Sequence, residues 1–269
     1  MSQPTADQLR DYQRDGFFLA RGLLPAEACD DLRRLIEAAL AQAEELAGRF
    51  LFDQEKAVRA GGGAEWAARD RYRKLGQIAQ NTPEYWERFI VHPRMLAVAR
   101  YFLGDEIRLM YDSVFLKPAR HGDATPWHQD IGLWPNKLHQ ALSIWVALDP
   151  ATRENGCLQM LPGSHRGGVI EHVTYPDSLH KELPRELVAD LAPAHVELAP
   201  GDAVVWHAGT WHHSPPNRSE QNRIGVAAVY VTAADAASAP HPGKMRWPWV
   251  LRDGMPCAFT EHAATVESY

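Results

Sequence analysis

From Ile107 to Val231 the chain drops helical spacing and becomes a series of short apolar runs cut by proline, glycine and other turn residues. The runs are Ile107 to Lys117, Ala141 to Leu148, Cys157 to Leu161, His195 to Leu198, Ala203 to Trp206 and Ile224 to Val231. Strands this short, without a helix between successive pairs, predict an antiparallel sandwich or barrel and not βαβ units. A double-sheet jelly roll is the closed solution for such a set.

Ahead of this region the pattern is helical. A short amphipathic helix is expected over 5 to 15, stopped by Gly16, with a strand at Phe17 to Arg21. A second helix follows from Pro25 to about Leu46 through Cys29, Leu32, Leu35, Ile36, Ala39, Leu40 and Ala43, and a third runs from Trp86 to Leu103. Between them, residues 50 to 72 lose periodicity around Gly61-Gly62-Gly63 and read as a loop. Residues 233 to 269, rich in proline, read as an irregular tail. One domain over 1 to 269 is expected, with a helical part to about 105, a β core over about 106 to 232, and the tail.

A chain of 269 residues with 45% apolar composition can bury a core of this size. A net charge of -6, with Lys and Arg dispersed, excludes a nucleic-acid groove or a polybasic membrane surface. The three cysteines, Cys29, Cys157 and Cys257, lie far apart without metal or disulfide spacing, so a reducing cytoplasm is expected. Neither a leader nor a membrane-spanning run is read from the sequence. The oligomeric state is not specified by any pattern here.

Chemistry enters with His128 and Asp130 in Trp127-His128-Gln129-Asp130. On extended backbone, residues i and i+2 share a face, so an imidazole and a carboxylate can reach one ion. They are two of the three protein ligands of a 2-His-1-carboxylate triad, which leaves open positions on Fe(II). The third ligand is expected after the Ala203 to Trp206 strand, where His207, His212 and His213 compete and spacing does not choose among them. Arg223, entering the Ile224 strand, would be costly inside a barrel unless it met an anion. A ligand carboxylate could supply that anion; a surface Glu is the plainer partner. The other histidines, including His165 and His172, are expected to be ordinary hydrogen-bonding residues.

In order along the chain stand Phe115-Leu116-Lys117-Pro118, Pro126 to Asp130, Glu154-Asn155-Gly156-Cys157-Leu158, Leu161-Pro162-Gly163-Ser164-His165, Gly201-Asp202 and His212-x-Ser214-x-x-Asn217. From about Asp15 to Tyr230 the chain thereby resembles the phytanoyl-CoA dioxygenase family of Fe(II)/2-oxoglutarate-dependent oxygenases. The resemblance implies a fold that is mainly β with flanking α-helices, around a double-stranded β-helix (jelly-roll, cupin-like) core. It implies Fe(II) held by His128, Asp130 and His212, with His207 at the non-ligand position and His213 in place of the usual glycine. It also implies 2-oxoglutarate as cosubstrate, with Ser214 and Arg223 on its distal carboxylate, Trp145 lining its pocket, and Lys74 and Ser113 as further contacts.

The implied reaction consumes O2, releases succinate and CO2, and hydroxylates an unactivated C–H bond of a small molecule, with ascorbate as a supporting reductant. Related halogenases carry a small residue where Asp130 stands, which turns the expectation away from halogenation. Desaturation, epimerisation and cyclisation are alternative outcomes of the same oxidant. Trp127, Ile131, Leu133, Trp134 and Trp206 are candidate pocket walls, and Met245 to Trp249 a candidate cover for the mouth. Two rival classes are a non-catalytic metabolite-binding jelly roll, which needs a broken triad, and a zinc hydrolase, in which Arg223 has no necessary task.

Overall fold

The computed structural model describes residues 3–134, 138, 140–238 and 247–259. Among these, strands β1 (Phe17–Ala20), β2 (Leu51–Gln54), β3 (Tyr72–Gly76), β4 (Ile107–Lys117), β5 (Thr125–His128), β6 (Ala141–Ala147), β7 (Leu158–Met160), β8 (Ala194–Val196), β9 (Ala203–His207), β10 (His212–Ser214), β11 (Arg223–Thr232), β12 (Trp249–Arg252) and β13 (Met255–Pro256) form two sheets. The nine-stranded sheet runs β1-β9-β6-β11-β4-β12-β13, with the β2–β3 pair joined to β4, and the four-stranded sheet runs β5-β10-β7-β8. All pairings within the sheets are antiparallel. The chain has the cupin-like jelly-roll fold with flanking helices.

Burial explains why the core strands were apolar on both faces. Every residue of β6 is buried, as are nearly all of β9 and β11. One face packs with the helices, where Leu32, Ile36, Phe89 and Met95 meet Ile144, Val205 and Tyr230. On the other face Trp145, Val204 and Ala227 of the large sheet meet Leu158, Met160 and Val196 of the small one. The chemistry is built at this inter-sheet seam.

The first helix, Ala6–Asp15, starts on a Thr5/Gln8 capping box and ends at Gly16, whose φ of 86° suits glycine. The Gly16 carbonyl then accepts from Thr210 Oγ1 at 2.9 Å and from the His207 N–H at 2.9 Å, tying the helix end to the ligand-bearing loop. The expected second helix divides at Gln42 into Ala26–Ala41 and Ala43–Leu46. The expected third divides into a π-type turn over Trp86–Ile90 and a helix over Pro93–Leu103. Pro93, lacking an N–H, begins the second piece instead of continuing the first.

Two segments read as irregular carry order. Residues 50 to 72 hold β2 and the start of β3, and β3 joins β4 with Lys74 opposite Phe115. Their alternation was hidden because the pair carries the charged Asp53, Arg73 and Lys74 toward a cavity. The tail supplies β12, which extends the large sheet beside Ile107 and Arg108 of β4. No described helix is long and apolar enough to cross a membrane.

Candidate active site

His128 is the last residue of β5, and Asp130 opens a one-turn helix over Asp130–Leu133. The intervening Gln129 is extended at φ -107° and ψ 136°, so His128 and Asp130 share a face although the strand has already ended. His212 begins β10 directly opposite His128. One donor atom from each of the three buried residues lies within 4.8 Å of the others. Asp130 Oδ1 is 3.8 Å from His128 Nε2 and 3.7 Å from His212 Nε2, and the two imidazoles are 4.1 Å apart.

Each ring is fixed the same way. His128 Nδ1 donates to the Pro126 carbonyl at 2.8 Å and His212 Nδ1 to the Thr210 carbonyl at 3.0 Å. Protonation at Nδ1 leaves Nε2 with a free lone pair, the tautomer a metal requires. Burial, with His212 alongside, holds His128 well below the ordinary histidine range, so it is neutral. The Asp130 carboxylate is clamped on its other oxygen: Oδ2 accepts from Ser143 Oγ at 2.7 Å and Trp206 Nε1 at 2.9 Å. That leaves Oδ1 turned toward the imidazoles. Two imidazole nitrogens and one carboxylate oxygen suit Fe(II).

The backbone between the ligands is anchored too. Gln129, fully buried, donates through Nε2 to the Gly168 and Gly209 carbonyls and accepts the Ile170 N–H. His172 Nε2 accepts the Gln129 N–H at 2.9 Å and its ring lies where a Cβ on Gly132 would be, 2.0 Å away. His172 is thus a hydrogen-bonding residue, as expected, though no sequence spacing marks Gln129 as its partner. His207 Nδ1 accepts the Gly209 N–H and its ring lies 6.4 Å from Tyr12, outside the ligand cluster. His213 stacks on Trp127 at 4.7 Å.

The cluster opens into a cavity of 640 Å³, within the range of small-molecule sites. At its buried end Arg223 Nη1 donates to the Gly156 carbonyl at 2.5 Å, which also accepts Ser214 Oγ at 2.7 Å. Burial lowers Arg223 to about 10, so it stays charged at neutral pH, and its Nε is buried without an acceptor among the described residues. The guanidinium lies 5.3 Å from the Trp145 ring centroid. Gly156 is at φ 79°, and a Cβ there would meet the Pro215 carbonyl at 2.2 Å, so the turn that aims its carbonyl excludes a side chain.

The remaining expected residues divide. Lys74 lines the cavity with Nζ 5.7 Å from the Tyr111 ring and 5.6 Å from Phe115, and burial lowers it to about 8. Leu133, Trp134 and Trp206 also line it, whereas Trp127, Ile131 and Ser113 do not. Ser113 is buried opposite Ala227 and Gly76. Trp247 and Trp249 line a separate cavity with Trp86 and Arg108, and His139, His241, His262, Met245 and Arg246 lie outside the described residues. Ser143 was not singled out from sequence, and Lys117 entered only within the Phe115 to Pro118 motif, without a role. A further signal is strand parity, Ser143 with Trp145 and Lys117 with Phe115.

The phytanoyl-CoA dioxygenase family matches residues 12–225. L-proline trans-4-hydroxylase of Streptomyces griseoviridis is 28% identical over 195 residues, covering 64% of this chain and 71% of that protein. Ectoine dioxygenase of Sphingopyxis alaskensis is 28% identical over 283 residues, covering 98% and 88%. The crystal structure of EctD from S. alaskensis with bound Fe superposes with a TM-score of 0.69 at 23% identity, covering 95% of this chain and 86% of that one, a likeness of fold. The match across most of the chain places this protein in the phytanoyl-CoA dioxygenase family.

Proposed function

We propose that this chain, a 2-oxoglutarate-dependent dioxygenase by family, hydroxylates an unactivated C–H bond of a small molecule using Fe(II) held by His128, Asp130 and His212. The observation that carries the reading is the convergence of two Nδ1-protonated imidazoles and one half-clamped carboxylate beside a buried arginine bonded to no acid among the described residues. Bound there, iron and 2-oxoglutarate supply the oxidant: O2, 2-oxoglutarate and R–H become succinate, CO2 and R–OH. Arg223 and Ser214 hold the distal carboxylate, Trp145 walls the pocket beneath it, and Lys74 reaches the cosubstrate from the far side. Ser113 is left out of this set, because the cavity wall does not include it. The burial of all three ligands restricts water, and Asp130 fills the coordination position a halide would need. The relatives named for proline and ectoine support a small polar substrate.

The test is succinate formation by purified protein given Fe(II), 2-oxoglutarate, O2 and ascorbate across a substrate panel. No succinate under any condition, with tight zinc retention, would sink the oxygenase reading. His212→Ala is expected to abolish Fe(II) binding and His207→Ala to retain it; equal loss in both would reject His212 as the distal ligand.

A further inference from the structure

The charge of the cavity runs against the charge of the chain. A protein with a net charge of -6 lines this one space with six basic side chains, Arg59, Arg73, Lys74, Lys117, Lys181 and Arg223. Three carboxylates face them, Asp53, Asp123 and Asp130. Fe(II) and 2-oxoglutarate bring equal and opposite charge, so filling the site as proposed above leaves the surplus in place. Arg223 and Lys117 stand at the Ser214 end. The rest of the surplus lies toward the β2–β3 edge and the His180-Lys181 loop.

At that edge two guanidiniums share one acid. Arg73 Nη1 donates to Asp53 Oδ2 at 2.5 Å, and Arg59 Nη2 donates to Asp53 Oδ1. The Arg73 side chain is only 11% exposed, and Asp53 is its one ion-paired acid among the described residues, with Asp123 attracting both guanidiniums from farther off. Burial, with Arg73 beside it, holds Arg59 below its ordinary value. Glu55 does not correct the balance, since burial lifts its carboxyl to about 8 and it is mostly protonated at neutral pH. A partly desolvated pair of like charges on one carboxylate is costly alone and favourable once an oxyanion joins it. Planar guanidinium forks match carboxylate and phosphate geometry. Phe52, Leu133, Trp134 and Leu179 supply apolar wall in the same cavity.

We propose that the substrate is a small organic anion whose carboxylate or phosphate is held by Arg59 and Arg73, with its apolar body against Phe52, Leu133 and Trp134. The inference rests on the oxygenase reading for the word substrate, but the anion site can be tested without turnover. Protein saturated with Fe(II) and 2-oxoglutarate under nitrogen is titrated with benzoate, phenyl phosphate, benzamide and benzylamine, and thermal shift gives each Kd. Benzoate or phenyl phosphate is expected to bind saturably, about tenfold or more tighter than the neutral and cationic probes. The tighter of the two anions identifies the group as carboxylate or phosphate.

Arg73→Gln and Arg59→Gln are each expected to weaken the anion about tenfold, while Arg120→Gln, which removes a cation paired with exposed Glu220, leaves it unchanged. The more exposed Arg59 keeps the test available should the Arg73 variant fold poorly. Equal binding of all four probes, no binding of either anion, or unchanged anion binding in both arginine variants overturns the proposal. Anion selectivity with no succinate formed from any substrate supports the anion site and overturns only the oxygenase reading.

Discussion

Arg223 and Lys117 stand directly opposite each other on β11 and β4, both buried and both basic, with no carboxylate bonded to either among the described residues. Like charges in a cross-strand pair are destabilising, and burial already holds Lys117 well below its ordinary value. An anion between them would relieve both. 2-Oxoglutarate added to metal-free protein is therefore expected to raise the Tm saturably, and Arg223→Ala to remove the effect. Lys117→Met, which keeps the apolar stem, is expected to raise the KM for 2-oxoglutarate about tenfold. Steady-state kinetics in 2-oxoglutarate check it, and an unchanged KM would make Lys117 a packing residue.

The two hydrogen bonds on Asp130 Oδ2 make a separate prediction. Trp206→Phe keeps the ring and deletes the 2.9 Å donor; Ser143→Ala deletes the 2.7 Å one. Loss of partners that orient a metal ligand weakens metal about 10–100-fold. Each variant is expected to lose Fe(II) affinity in that range while its circular dichroism stays that of the parent. Anaerobic Fe(II) titration measures it.

The sequence showed what apolar periodicity can show. β4 was read with its observed bounds, since Ile107, Leu109, Val114 and Leu116 are core residues on a long strand. β5 and β10 were less visible because they are three or four residues long and carry Pro126, His128, His212 and Ser214 instead of an apolar alternation. His128, Asp130 and His212 come together in the structure, and the choice among three histidines needed the family resemblance. What held Asp130 was not legible: Ser143 and Trp206 come from β6 and β9, and only the pairing of those strands makes them converge. The partner of His172 was hidden for the same reason, since it meets Gln129 across 43 residues of chain.

Glu55 sets an expected pH dependence of stability. It is fully buried, accepts the Asp123 N–H through Oε2, and has no partner at Oε1 among the described residues. Burial raises its folded-state value from 4.5 to about 8. The folded chain thus holds a proton that the unfolded chain releases, so stability falls as pH rises from 4.5 to about 8 and levels off above. Glu55→Gln keeps an acceptor and cannot ionise, so it is expected to flatten this part of the curve, gaining stability at pH 8 and little at pH 4.5. Urea denaturation at both pH values decides it, and parallel curves for variant and parent would remove Glu55 as the cause.

Gly225 is the point where a single methyl reaches the cosubstrate end of the site. It lies on β11 beneath the Trp145 indole, and a Cβ there would fall 1.9 Å from Cζ2 and 2.3 Å from Cε2. Neither strand can yield, because Gly225 pairs with Phe115 on one side and Ala147 on the other. The indole must therefore swing, and it is the surface against which Arg223 lies. Gly225→Ala is expected to cost about 1–3 kcal/mol from overpacking and to raise the KM for 2-oxoglutarate about tenfold or more, with Fe(II) affinity near that of the parent. Trp145→Phe in the same chain removes the benzo atoms that clash. A double-mutant cycle should then show recovered Tm relative to Gly225→Ala alone; additive losses would mean that the indole is not what the methyl displaces.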